Sequence, residues 1–418
     1  QAMMITVVFF LFISLAVMFG LVSPTLTETK LARSLAYSSQ SYFLSEGGLE
    51  DSIYRLKEGL AVDTTEVLTL NGVTVTTSIT DTGGGGKDVT ATGNATNAVR
   101  KARAHLSISS GASFNFGVQS GPGGMIIENI ASVNGSAYSS GTITGSNANI
   151  IRGDVISAGS SGLITGIHAT GTAYAHTIQD SIIDKDAYYQ TISGTIVGGM
   201  SYPGSADQPI ADLPISDATI EEWKTDAVAG GTLGGSCTTY SINSNTTLGP
   251  IKINCDLEIT GSPTITLAGM VWVNGNIMIK NTPTIVVSSS QTEKTVSMIA
   301  EKPTNRTTSS KIEIENSAIF QGAGAGSYVL IVSQNWSAEL GGSEKAIEVE
   351  NSASGALLVY AGHGEINLKN NIGLKEVTAY KIRLSNSAEV TYETGLASLL
   401  FTAGPGGSWT VSSWREIQ

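Results

Sequence analysis

The sequence predicts an α+β protein in which one long N-terminal α-helix precedes a β module and a parallel β-helix, or β-solenoid. Three observations predict this fold class. Residues 2–22 carry no charge and are predicted to be helical, and residues 66–80 alternate apolar and polar side chains as strands do. Further along, short motifs recur at spacings of 18 and 35 residues.

The composition argues against several classes of function. Among 418 residues, 35 acidic residues outnumber 23 Lys and Arg, and the formal net charge is -12. A surface that coats nucleic acid needs clustered cations to displace counterions. The 2 Cys and 4 His show no zinc signature. We therefore expect no nucleic-acid partner, no metal and no cofactor.

The first element is a helix predicted over residues 1–58. Its uncharged part, residues 2–22, would extend roughly 30 Å, enough to cross a bilayer. Pro24 interrupts the apolar run, and an amphipathic pattern then continues to Leu56. Because the chain begins at Gln1 without the basic region of a secretory signal, we expect that a leader has been removed.

This N-terminal region resembles that of type IV pilins and pseudopilins, in which an apolar half-helix, a proline and an amphipathic continuation precede β structure. Residues 41–57, SYFLSEGGLEDSIYRLK, are more narrowly similar to PilX-like minor pilins. The resemblance covers residues 1–110. One departure concerns the fifth mature position, where pilins usually carry a glutamate and this chain has Ile5. Some tip-located pseudopilins lack that glutamate as well.

The resemblance implies a structural, non-enzymatic subunit of an extracellular filament at the cell surface, held in the inner (cytoplasmic) membrane before assembly. The implied partners are further copies of the chain, other pilins, the type IV pilus assembly machinery and the prepilin peptidase. The residues expected to form the assembly helix are Gln1, Met3, Met4, Ile5, Val7, Phe9, Phe10, Phe12, Leu15, Phe19 and Pro24.

Residues 59–110 are predicted to form a pilin-like β-hairpin module. Asn71-Gly72 marks a tight turn between two alternating strands. The glycine run at 83–86 is predicted to be a second hairpin tip, because it lacks the Lys-Ser/Thr spacing of a phosphate-binding loop.

Repeats predict a solenoid in two parts, residues 111–200 and 237–418. A glycine motif recurs 18 residues apart in the first part, and an Ile-x-apolar-x-Asn motif recurs every 35 residues in the second, which we interpret as two coils per repeat. We expect the isoleucines to stack inward and the asparagines to occupy bends with positive φ, although an Asn-lined ligand groove is an alternative. The isoleucines are Ile277, Ile312, Ile347 and Ile382, and the asparagines are Asn281, Asn316, Asn351 and Asn386.

Between the two parts, residues 201–236 are predicted to be an irregular insertion with a short helix. Ser216 or Asp217 can cap that helix, which would run to about Ala229. Cys237 and Cys255 are expected to form a disulfide, because the body of the protein is expected outside the membrane.

The end of the chain, from Leu399 to Gln418, is expected to cap the solenoid. Together with the late repeats, its GPGGSW segment resembles large pilin-like proteins of candidate phyla radiation bacteria.

Three further interpretations compete with a filament subunit. A plain single-span anchor explains residues 2–22 but not the amphipathic continuation. A membrane-anchored or pilus-tip adhesin would bind host or partner-cell surface glycans without polymerising. An anchored carbohydrate enzyme would need two carboxylates about 5 to 9 Å apart. The candidates for that enzyme are Asp180, Asp184 and Asp186, with Tyr188 and Tyr189 as sugar platforms. Two acids in a surface strand are more often simply solvated, so we expect no catalysis.

Overall fold

A computed structural model describes residues 2–57, 62–70, 73–82, 86–108, 114–146, 148–235, 237–393, 396, 399 and 409–417. The fold class is α+β, with few helices and many parallel strands. The chain divides into two compact units. We call residues 1–108 with 409–418 the N-terminal unit, and residues 109–408 the ladder unit.

The N-terminal unit pairs one helix with a five-stranded antiparallel sheet. Helix α1 spans Ala2–Lys57 without interruption. Leu44, Leu49 and Ile53 are its buried large apolar residues, and they pack on one face of the sheet, whose strands alternate buried apolar residues with exposed polar ones. In sheet order the strands are Thr65–Leu70, Val73–Thr82, Gly86–Ala95, Ala98–Ile108 and Trp409–Ile417. The predicted turn at Asn71-Gly72 and most of the glycine run, residues 83–85, lie outside the described residues.

The last strand of the chain corrects the predicted solenoid cap. Trp409–Ile417 pairs antiparallel with Ala98–Ile108, and thus belongs to the N-terminal unit. The physical reason is that Ala98–Ile108 otherwise leaves one edge unpaired, and an antiparallel strand satisfies its backbone groups. Residues 400–408, which hold most of the GPGGSW segment, lie outside the description.

The ladder unit contains two sheets of 22 and 12 strands, in which the strands pair in parallel. The larger sheet comprises Val118–Ile127, Ala137–Ser139, Ile143–Thr144, Val155–Ser157, Leu163–Thr165, Ala173–Ala175, Thr177–Gln179, Ala187–Tyr189, Thr191–Ser193, Ser201–Pro203, Thr232–Leu233, Thr239–Ile242, Ile251–Ile253, Asp256–Ile259, Val271–Val273, Ile277–Ile279, Val296–Ala300, Ile312–Ile314, Val329–Ser333, Lys345–Glu350, Leu357–Lys369 and Glu376–Ser385. The smaller sheet comprises Ser132–Asn134, Ile150–Ile151, His168–Ala169, Ile182–Ile183, Ile196–Val197, Thr246–Leu248, Thr264–Leu267, Thr284–Val287, Ile319–Gln321, Ser354–Gly355, Gly373–Leu374 and Glu389–Thr391. A 3-10 helix spans Ser289–Gln291.

Successive strands form repeating sets, which we call coils, and each coil pairs with the next in register. Ile164, Ile178 and Ile192, for example, are paired neighbours in one column. Such columns of Ile, Leu and Val fill one continuous core between the two sheets. Short strands joined by small turns are enough to form a stable core here, because each coil buries its apolar face against its neighbours.

The 35-residue spacing has two different origins, which corrects the prediction of two coils per repeat. Ile277, Ile312 and Ile347 are direct neighbours, so each of those intervals is one coil with long loops. Between Ile347 and Ile382, by contrast, Ile366 intervenes and the interval holds two coils. Loop length varies freely on the outside of the stack, whereas strand length and register are constrained by the core.

The first and last coils of the ladder unit pair with each other. Val118–Ile127 lies parallel to Glu376–Ser385, and Ser132–Asn134 lies parallel to Glu389–Thr391. We call this contact the joint. It merges the two predicted solenoid parts into one stack, whose outermost coils are built by residues 191–203 and 232–248.

Residues 204–231, which we call the strap, connect those two outermost coils. Within the strap, α2 spans Asp217–Ala229, and the side chain of Ser216 caps it by accepting from Thr219 N at 3.1 Å. Tyr138 in the sheet donates from its hydroxyl to Pro209 O at 3.1 Å. Trp223 of α2 is buried in a second apolar cluster on the outer face of the larger sheet. The predicted insertion is therefore a cover for that face.

Cys237 and Cys255 form a disulfide, with their Cα atoms 5.8 Å apart. The bond links one outermost coil, at 232–248, to the coil that follows it. For a loop of this length, a disulfide stabilises the folded chain by about 3 kcal/mol, chiefly by restricting the unfolded state.

Replacing Trp223 by Ala tests how strongly the strap is held. We expect the variant to lose about 3 to 5 kcal/mol of unfolding free energy, because it leaves a cavity in the apolar cluster. Chemical denaturation followed by circular dichroism measures this. The matched control is Glu222→Ala, an exposed change one residue away, which should alter stability by less than about 0.5 kcal/mol. Similar losses in both variants would contradict the assigned role of Trp223.

A buried carboxyl at the joint predicts a pH dependence. Glu376 is fully buried, and burial raises its pKa well above the ordinary value. Its Oε2 atom has no hydrogen-bond partner among the described residues. The folded state thus favours the protonated acid. This stabilises the fold below the pKa of the unfolded chain, and the contribution is lost as pH rises towards the folded pKa.

We therefore expect Glu376→Gln to raise the melting temperature at neutral pH relative to the parent, with a gain that shrinks as the pH falls towards 4. The reason is that a neutral amide does not ionise in either state. Melting curves between pH 4 and 8 measure the difference, and Glu389→Gln at the same joint is the exposed control. A gain that does not change with pH would rule out the buried acid as its source.

Candidate functional site

The first part of α1 exposes large apolar side chains on every side of the helix. Their exposed fractions run from 43% at Ile13 to 84% at Met3. The first charged residue in the chain is Glu28. A surface helix of an ordinary globular protein has only one apolar stripe, so this all-round pattern indicates a helix that other apolar groups must surround.

Most of the predicted assembly residues lie on this surface. Those that the structure places there are Met3, Met4, Ile5, Val7, Phe9, Phe10, Phe12 and Leu15. Gln1 lies outside the described residues, and Phe19 and Pro24 lie within α1 but their side chains are not described. Five further residues, Val8, Leu11, Ile13, Val17 and Met18, share the same exposure. The uncharged, mostly apolar run at residues 2–22 was the sequence signal for these five residues.

The second part of α1 is held firmly on the sheet of its own unit. Ser41 accepts a hydrogen bond from Ala95 N at 2.9 Å through its side-chain oxygen. A Cβ atom added at Gly93 would lie 2.2 Å from Ser41 O, so only glycine permits this close approach of helix and strand. The apolar first part is thus the continuation of a well-anchored helix.

The expectation of a membrane span at residues 2–22 is not supported. Within the part of the chain that the structure describes, no helix is long and apolar enough to cross a membrane.

The asparagine column is longer than the sequence predicted. Asn281, Asn316, Asn351 and Asn386 all have positive φ, between 52° and 71°. Asn370 and Asn129 extend the column, because the amides of Asn351, Asn370, Asn386 and Asn129 are linked in series at 3.0, 3.1 and 2.9 Å. The motif around Ile366 could have revealed Asn370. The side chains of these four linked residues bond along the stack, which favours a structural column over a ligand groove.

Two of the three carboxylates considered for carbohydrate chemistry, those of Asp184 and Asp186, have partners in the turns between strands. Asp186 accepts from Met200 N at 2.8 Å, and Asp184 lies 3.1 Å from His168 Nε2. Both residues lie in a turn and not on a strand face. Asp180 has a φ of 45°, in the left-handed region that suits a turn.

The two tyrosines proposed as sugar platforms are covered. Tyr189 is buried. Tyr188 lies between the rings of Tyr174 and Tyr202, at centroid distances of 4.8 and 4.4 Å with nearly parallel planes. Burial and these neighbours raise the pKa of its hydroxyl. Both ring faces of Tyr188 are therefore occupied by protein, and the stack supports the ladder.

In the described ranges, no group of three or more His, Cys, Asp and Glu side chains is placed to hold a metal ion. A buried cluster of charges instead fixes α2. Glu301 is fully buried and accepts from Arg306 Nε at 2.8 Å, and Lys224 of α2 pairs with its other oxygen. A buried carboxylate that is paired on both sides in this way is held in place, because breaking either pair would leave an uncompensated charge.

Comparison with known proteins finds similarity among solved structures only, at the level given below for one pilin. No family profile matches the chain, and no curated protein matches it. Among solved structures, the chain is similar to the competence-associated pilin ComZ from Thermus thermophilus. The identity is 12% and the TM-score 0.37, and the match covers 91% of this chain and 97% of that chain.

Proposed function

We propose that this chain is a structural, non-catalytic subunit of a type IV pilus-like filament and that it polymerises through residues 3–18 of α1. The observation that carries the proposal is the uncharged, exposed apolar surface on all sides of that segment. Leaving such surface in water costs about 25 cal/mol per Å². Helices of neighbouring copies can cover every side at once, whereas a partner with a single flat face covers one.

The anchoring of the second half of α1 supports this proposal. A helix that is continuous from Ala2 to Lys57 and packed on its own sheet presents its first part in one direction. Residues 3–18 then extend roughly 24 Å, a length over which several helices can pack side by side. Little additional ordering is needed on assembly, which lowers its entropic cost.

We further propose that the ladder unit is a β-solenoid and that the filament displays it at the cell surface. The in-register parallel columns and the continuous core support a solenoid. The partners we propose are further copies of this chain, other pilins, the type IV pilus assembly machinery and the prepilin peptidase. In the adhesin alternative, surface glycans are the partner of the ladder unit.

The double substitution Phe9→Glu with Phe10→Glu tests the filament proposal. The two side chains point about 100° apart on the helix, so the variant places carboxylates on two faces of the proposed bundle. An unpaired buried charge costs several kcal/mol, so we expect filaments to be lost. Electron microscopy of material sheared from expressing cells measures this.

The control is Leu340→Glu, which adds one carboxylate at a residue of the ladder unit that is 66% exposed. It should leave filaments at the parent level. Normal filaments from the Phe9 and Phe10 variant would refute assembly through α1. Loss of filaments in both variants would show that added surface charge alone prevents assembly, and would remove the support for a specific role of residues 3–18.

A further inference from the structure

The outermost coils leave their strand edges unpaired. At one end, Thr191–Ser193, Ile196–Val197 and Ser201–Pro203 pair only with the preceding coil in the described structure. At the other end, Thr232–Leu233, Thr239–Ile242 and Thr246–Leu248 pair only with the following coil. We call these coils the first end and the second end. The strands at both ends run parallel to the strands of the coils between them.

The first end has short strands and Pro203, but it lacks the charged side chains that normally protect an edge. Residues 187–206 contain no charged side chain, although Lys and Glu are the usual means of preventing edge pairing. Ile196 and Met200 are 67% and 64% exposed. Ile192 and Val197 point into the core but are only partly buried, because no further coil covers them. Terminal repeats usually need a polar cap for solubility.

The second end provides a matching surface. Tyr240 is likewise a partly buried residue at the end of a core column. That column runs from Ile192 through Ile178, Ile366 and other apolar residues to Tyr240. Because each residue of this column pairs directly with the next one, the continuation of the column beyond Ile192 is defined.

The joint shows that two separate edges of this ladder mate. Val118–Ile127 and Glu376–Ser385 are far apart in the chain, yet they pair in parallel, with one register shift between Ala379 and Lys381. The contact needs no covalent turn between the two coils. The same kind of contact is therefore available to two edges on different molecules.

We propose that the first end docks on the second end of another copy of this chain, head to tail and by parallel strand pairing. Continuing the columns places Ile192 against Tyr240 and Ser193 against Ser241. In the smaller sheet, it places Val197 against Thr246. The contact adds backbone hydrogen bonds and buries the open end of the core. Because the contact joins two different surfaces of the chain, it repeats from one copy to the next and does not close into a dimer.

A cysteine pair tests the predicted register. Ser193 and Ser241 are exposed, and Ser→Cys is nearly isosteric. Paired strands lie about 4.8 Å apart, which is within the Cα range of a disulfide. The native cysteines are already bonded to each other. Each substitution is made in the full chain carrying Phe9→Glu and Phe10→Glu, so that association does not depend on α1.

We expect a disulfide-linked dimer when Ser193→Cys chains are mixed with Ser241→Cys chains, and longer multimers from chains that carry both. Non-reducing electrophoresis measures this. The control mixes Ser193→Cys with Ser352→Cys, an exposed serine in the middle of the stack, and should stay monomeric. Adding Ile196→Lys to the Ser193→Cys chain should abolish crosslinking without changing the circular dichroism spectrum, because the charge blocks the edge.

Two outcomes would overturn the proposal. Dimers from Ser193→Cys chains alone would mean that two first ends meet. Monomers in every mixture, together with a monomeric mass by light scattering, would mean that the ends do not associate. The background chain lacks the proposed helix contacts, so these results do not bear on the filament proposal. Loss of filaments in the Phe9 and Phe10 variant, in turn, does not bear on the end contact, which the crosslinking experiment tests separately.

Discussion

The parallel pairing at the joint is the constraint on which the ladder unit depends. Because Val118–Ile127 lies beside Glu376–Ser385, the chain enters and leaves the stack at its middle. Tyr392 donates from its hydroxyl to Phe114 O at 2.7 Å, which ties the incoming and outgoing segments together. The chain that leaves the ladder unit supplies Trp409–Ile417 to the sheet that contains Ala98–Ile108.

A joint in the middle also requires the strap. The first half of the ladder unit builds outwards to residue 203 and the second half begins at the opposite outermost coil, so residues 204–231 must connect the two ends. A connecting segment on the outer face of a sheet covers whatever side chains point outwards there. This explains why Tyr138, Trp272 and Tyr360 can be large and largely apolar on the outer face, and why Tyr360 donates to Ile215 O of the strap. The buried Glu301 fixes the position of α2 through Lys224, because breaking a buried ion pair is costly.

Local patterns in the sequence predicted the local structure and missed the long-range pairing. Ser216 and the residues after it were enough to place α2, and the repeated Asn residues predicted bends with positive φ. The joint left no comparable signal, because its two strands are ordinary apolar repeats far apart in the chain. Ile366 was missed for a related reason. Its coil breaks the 35-residue spacing, and only the pairing of strands shows where one coil ends. The exposed apolar surface of α1 could be predicted from residue type alone, because the uncharged run at residues 3–18 has no polar face to turn towards water.

The two surfaces proposed for self-association differ in physical kind, and that difference has consequences for specificity. Packing among apolar helices is governed by shape and burial, so residues 3–18 of this chain can pack with any helix of similar character, including those of other pilins. Strand pairing is directional and demands register, because a slip by one residue turns every core side chain outwards. An end contact built on Ile192 and Val197 therefore selects an edge with the same column spacing. Another copy of this chain supplies that edge, and the joint is its internal counterpart.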